Sequence, residues 1–131
     1  MKSITFDYDK STGYAHCEIK YDNVIFTGDA KCLPEDGDFE SERTGCFIAE
    51  VKANVKKLKY IRKNLRKELK GLTNFQKRLE CCKNYDKDSF EAKRLRKEIY
   101  IYREQIEALS SAIEDEEKYL VKYINEKEAF Y

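Results

Sequence analysis

The sequence has a single histidine, His16, and a single proline, Pro34. One histidine excludes a multi-histidine metal site within one chain. One proline leaves long stretches free of the residue that most strongly interrupts a helix. No apolar run approaches the length of a membrane span. The start, MKSITFDYDK, has no apolar core of a secretory signal. A cytoplasmic protein with no membrane partner is the resulting expectation. There is no phosphate-cradling glycine loop, and only five glycines in all. Five cysteines are an odd number whose spacing fits neither a disulfide framework nor a zinc signature, so free thiols are expected, with Cys81 and Cys82 near a turn.

Charge is abundant, at 39% of residues, yet nearly balanced, with a formal net of +1. The balance hides a segregation. Residues 1–47 hold ten acids and five bases, residues 48–83 twelve bases and three acids, and residues 88–131 eleven acids and eight bases. So high a charged fraction fits either disorder or solvated helices. Ten tyrosines, seven phenylalanines and a regular apolar repeat favour the helices.

That repeat is the strongest pattern in the chain. Leu95, Ile99, Tyr102, Ile106, Leu109, Ile113 and Leu120 recur at alternating steps of four and three, with one beat missing at Glu116. Such spacing draws one apolar stripe along a helix, and the stripe needs a partner. Val51, Val55, Leu58, Ile61, Leu65, Leu69, Leu72, Phe75 and Leu79 supply one. Helix one is expected over about 39–82, with Asp38, Ser41 and Thr44 as candidate caps. Helix two is expected over 88–131, with Asp88 and Glu91 as a capping pair. Gly71 is expected to mark a bend or a close crossing of the helices.

Residues 1–37 read differently. Three rows alternate polar and apolar side chains: Ile4–Phe6–Tyr8, then Tyr14 to Tyr21, then Val24–Phe26–Gly28–Ala30. Turn formers separate them at Asp9–Gly13 and at Asp22–Asn23, the second short enough for a two-residue hairpin. The fold expected is therefore α+β: an N-terminal three-stranded antiparallel meander followed by an antiparallel two-helix coiled-coil hairpin, in a single domain of 131 residues. One sheet face would pack on the base of the hairpin, against Phe47, Ile48, Val51, Tyr119, Tyr123, Ile124, Phe130 and Tyr131. A homodimer through the hairpin would cover Ile61, Leu72 and Ile101.

Between the halves the chain reads Gly28-Asp29-Ala30-Lys31-Cys32-Leu33-Pro34-Glu35-Asp36, followed by Gly45, Ile48, Ala49 and Ala53. Over residues 28–53 this resembles a segment of small phage and prophage proteins of Gram-positive bacteria. The resemblance implies a phage origin in a bacterial host cell, in the company of accessory factors such as anti-CRISPR inhibitors of host defence nucleases. It implies no catalytic residues. A packing account of the same residues runs in parallel. Pro34 ends the strand, Glu35 and Asp36 precede a helix whose N-terminus favours acids, and the four-residue spacing of Ala49 and Ala53 lets a sheet approach closely.

No enzyme is expected and no cofactor is implied. His16 and Cys17 are neighbours on a strand and point to opposite faces, which spoils them as a nucleophile–base pair. The candidate site is a basic stripe on helix one: Lys52, Lys56, Lys59, Arg62, Lys63, Arg66 and Lys70, with Tyr60 as an aromatic contact. Such a stripe suits a phosphate-rich partner or an acidic protein surface. The competing expectation is that Glu104, Glu107, Glu114, Asp115, Glu116 and Glu117 neutralise it across the hairpin. Two functions follow: a phage-encoded inhibitor that binds a host defence protein or ribonucleoprotein complex, and, as the alternative, a nucleic-acid-binding accessory protein of phage replication or regulation.

Overall fold

The computed structural model describes residues 3–31 and 38–126, with side chains described for 3–31 and 42–124. The proline turn, Phe130 and Tyr131 lie outside the described residues, so the expectations placed on them do too. The element order is β1 (Ser3–Asp9), β2 (Tyr14–Tyr21), β3 (Val24–Lys31), α1 (Asp38–Glu80) and α2 (Phe90–Glu126). The strands form one antiparallel sheet in the order β1-β2-β3. The chain divides into two compact units: Met1–Lys59 with Ile113–Tyr131, and Tyr60–Ala112.

Turn chemistry sets the register of the sheet. Asp22 and Asn23 both adopt positive φ, 51° and 65°, the conformation a two-residue hairpin turn demands at both positions. This places Tyr21 opposite Val24 and carries the ladder on to Tyr14 opposite Lys31. The longer turn before β2 closes through Gly13, at φ 76°, whose N–H donates to the Asp9 carbonyl at 2.8 Å. The Asp9 carboxylate accepts from the Ser11 N–H and hydroxyl.

In the first unit, one sheet face packs on α1. Ala15, Cys17 and Ile19 of β2 form a buried cluster with Ala49 and Ala53 of α1. Ala49 and Ala53 are small because the backbones nearly touch at Gly28. A Cβ added at Gly28 would lie 2.0 Å from the Ala49 carbonyl oxygen and 2.7 Å from the Ala53 nitrogen. The close approach inferred from Ala49 and Ala53 is thus present, and glycine at position 28 is what permits it. On the other side of α1, Val51 and Val55 bury with Ile113, flanked by Phe47, Leu58 and Leu120. The Phe47 ring meets those of Tyr123 and Tyr119 at 4.7 and 6.0 Å.

In the second unit the same seam is thinner. Ala92, Leu95 and Ile99 are buried, whereas Ile61, Leu65, Leu69, Leu72, Ile106 and Leu109 are half-buried and Phe75 and Ile101 are exposed. Two features differ from expectation. Gly71 marks no crossing, since nothing lies within 4 Å of a Cβ built there, and α1 runs through it unbroken. Helix two is capped by Ser89 rather than Asp88: the Ser89 hydroxyl accepts from the Ala92 N–H at 3.2 Å, while the Asp88 N–H is held by the Asp86 carboxylate at 2.9 Å. Thr44 is no cap either. It lies within α1 with 2% exposure.

Candidate binding surface on helix one

The helical spacing of Lys52, Lys56 and Lys59 brings all three to one cleft of the first unit. The cleft has a volume of about 380 Å³ and is floored by Gly28, Val55 and Leu120. Lys52 donates from Nζ to the Asp29 carbonyl at 3.0 Å, which ties the helix to β3. Lys59 meets Glu117 at 3.6 Å, an exposed pair worth about 0–1 kcal/mol. Lys56 is exposed, and its charge adds to the forces that hold the Asp29 carboxyl below its usual range.

In the second unit, Lys63, Arg66 and Lys70 are exposed. Arg62 turns inward instead. It donates to the Ser110 hydroxyl at 3.3 Å, and its Nε is buried with no hydrogen-bond partner among the described residues. Tyr60, the expected aromatic contact, is half-buried, whereas Tyr100 is exposed. Lys57, part of the same basic run, points away from this surface. It is buried, with Nζ 5.7 Å from the centre of the Tyr21 ring.

Of the acids of helix two, Glu117 is the one that pairs with the stripe among the described residues. Among the described residues, Lys59 is the one member with a carboxylate within 4 Å. Glu114 pairs within its own helix, with Lys118 at 2.9 Å. Glu116, the charge that interrupts the apolar repeat, lines a different cleft with Glu50, Phe47 and Tyr119, and has no ion pair among the described residues.

A second polar group lies on the outer face of the sheet. His16 sits directly opposite Asp29 in the ladder, and its Nδ1 is 2.5 Å from Asp29 Oδ1. Its Nε2 is 3.0 Å from Glu18 Oε2, and the Tyr14 hydroxyl donates to Asp29 at 2.5 Å. The hydrogen bond to Asp29, then that to Glu18, raises the His16 pKa above 6.5. The Tyr14 hydrogen bond, then that from His16, lowers that of Asp29. In the sequence His16 stands out without its partners. The signal was present: Glu18 shares its strand face, and the two-residue turn puts Asp29 across from it. Cys17 does face the other way, and burial pushes its thiol up to about 11, which leaves it protonated at neutral pH.

Among the described residues no cluster of three or more His, Cys, Asp or Glu is placed to hold a metal ion, and no helix is long and apolar enough to cross a membrane. Comparison with known proteins returns no match to a protein family, a curated protein or a solved structure.

Proposed function

We propose that the chain is a non-enzymatic, phage-encoded binding protein that inhibits a host defence nuclease complex. It would do so by presenting the basic face of α1 to that complex. The observation that carries this reading is the state of the lysines. Lys56, Lys63, Arg66 and Lys70 are exposed and have no carboxylate within 4 Å among the described residues. Concentrating like charges on one helix face adds self-repulsion that no ion pair of these four residues offsets among the described residues. An external anionic partner accounts for that arrangement.

The cleft at Lys52, Lys56 and Lys59 adds an apolar floor of Val55 and Leu120 beside the charges. A protein surface offering an acidic side chain next to an apolar one matches that combination better than bare phosphate does. The phage origin rests on the sequence resemblance across residues 28–53.

The test is affinity capture from a Gram-positive host carrying defence nucleases, paired with a phage-immunity assay. Capture of a defence complex and loss of immunity are expected, and Lys56→Glu with Lys63→Glu should abolish both. If no defence component is recovered and immunity is unchanged, the inhibitor reading falls. Salt-sensitive binding of the isolated protein to DNA or RNA would then point to the nucleic-acid accessory role.

A further inference from the structure

β1 is an edge strand, hydrogen-bonded on one side to β2. Its ladder with β2 runs from Ser3 to Asp9 without a bulge. The strand contains no proline and no lysine, and its two charges, Asp7 and Asp9, share the face turned away from α1. Natural edge strands are commonly protected by such residues, by a bulge, or by a covering element. Among the described residues no further strand pairs with its free side. Ile4 and Phe6 lie on the face that packs against α1, in the rows Ile4–Ile19–Phe26 and Phe6–Cys17–Gly28. Exposure nevertheless climbs from 1% at Ile19 to 40% at Ile4, and from 0% at Cys17 to 48% at Phe6. The cause is the contact at Gly28: α1 is drawn down onto β2 and β3, so that Tyr8 still packs against the buried cluster while Ile4 and Phe6 are left exposed.

We propose that β1 pairs antiparallel with β1 of a second copy of this chain, about a two-fold axis at Phe6, joining the two sheets into one of six strands. Register selects this occupant. Residues opposite each other in a ladder share a face, so the apolar rows of two copies lie on one side only when residues of like parity are paired. Among such registers, the one centred on Phe6 overlaps the whole strand. It sets Phe6 against Phe6, Ile4 against Tyr8, Thr5 against Asp7, and Ser3 against Asp9. Every acid faces a hydroxyl and every apolar residue an apolar one. Centring the axis on Asp7 shortens the overlap and puts Asp7 against itself. Centring it on Thr5 pairs only Ser3 to Asp7 among the described residues of the strand. In-register parallel pairing stacks Asp7 on Asp7 and Asp9 on Asp9. Like charges directly opposite are destabilising. The pairing also seats Tyr8 of the second copy across from Ile4, at the rim of a cleft of about 410 Å³ lined by Ile19, Phe47, Val51 and Tyr119. This surface is separate from the basic face of α1, and the proposal does not rest on the function proposed above.

The experiment uses the full chain with the exposed thiols removed by Cys81→Ser and Cys82→Ser. Opposed residues of antiparallel strands have Cα atoms about 4.5–5.5 Å apart, within the span of a disulfide. Mild oxidation should therefore link Phe6→Cys into a covalent dimer. Ile4→Cys alone should stay unlinked, and an equal mixture of Ile4→Cys with Tyr8→Cys should cross-link. Light scattering should give a dimer for the parent and a monomer for Phe6→Lys and for Ile4→Lys, both at exposed positions, with circular dichroism unchanged. A parent that is monomeric at high concentration overturns the proposal. So does a dimer that survives both lysine variants, which would be held elsewhere, such as along the helices. Cross-linking of Ile4→Cys to itself overturns the register.

Discussion

At the scale of single residues, two glycines separate what backbone contact demands from what a helix merely tolerates. Gly28 has the Ala49 carbonyl where its Cβ would be, and backbone cannot swing aside as a side chain can. Gly28→Ala should destabilise the protein by about 3 kcal/mol, the upper end of ordinary overpacking. Gly71 has open space around it in the middle of α1, so Gly71→Ala should gain about 1 kcal/mol from helix propensity. Urea unfolding midpoints moving in opposite directions would bear out both. His16 makes a second residue-scale case, on pH. Its pKa is raised in the fold, so its contribution is complete below the ordinary value of 6.5 and is lost as pH rises through the raised value. Asp29 is lowered, so its contribution is complete above 3.8 and is lost as pH falls through the lowered value. Stability should therefore decline from mildly acidic to mildly alkaline pH, and His16→Ala should remove that slope. An imidazole NMR titration with its midpoint at or below 6.5 would contradict the assignment of Asp29 and Glu18 as its partners.

At the scale of elements, helix two tests how turn geometry decides a cap. Asp88 and Ser89 are both good capping residues, and Glu91 three residues after Asp88 favours the first by pattern alone. The structure favours the second because Asp86 closes the turn twice, taking the Asp88 N–H on its carboxylate and the Ser89 N–H on its carbonyl. Ser89→Ala should cost about 1 kcal/mol, whereas Asp88→Ala should cost only a few tenths, in thermal denaturation. The same contrast explains what was legible in the sequence. Strand alternation, the Asp22–Asn23 turn and the four-three repeat each have a period or a local conformational requirement, and all three strands and both helices follow from them. Gly71 and Thr44 could not be placed, because both roles depend on what another element puts beside the residue. Of the candidate site, the exposure of Lys56, Lys63, Arg66 and Lys70 followed from helical spacing. The inward turn of Arg62 to Ser110 and of Lys57 to Tyr21 depended on tertiary partners that spacing does not reveal.

At the scale of the whole molecule, a net charge of +1 gives no net electrostatic attraction to a partner, so any electrostatic attraction must arise from how the charges are sorted along the chain. Twelve bases against three acids over residues 48–83 form the one strongly biased block. Within it Lys59 alone, among the described members of the stripe, has a carboxylate within 4 Å, that of Glu117. That pairing makes Lys59→Glu a poor probe, since it would also bring two carboxylates together. Lys56→Glu with Lys63→Glu breaks no ion pair among the described residues and leaves the apolar seam untouched. Exposed substitutions of this kind usually shift stability by no more than about 0.5 kcal/mol, so a loss of binding would not be a loss of fold. The matched control is Glu114→Lys with Glu117→Lys, which removes the Glu114–Lys118 and Lys59–Glu117 pairs and raises positive charge. If the basic face is the contact, the lysine reversal should abolish partner binding while the glutamate reversal retains or strengthens it, and parent binding should weaken steadily with added salt as screening shortens the reach of the charges. The opposite ranking of the two double variants, measured by titration calorimetry on the captured partner, would move the functional surface to the acids of α2.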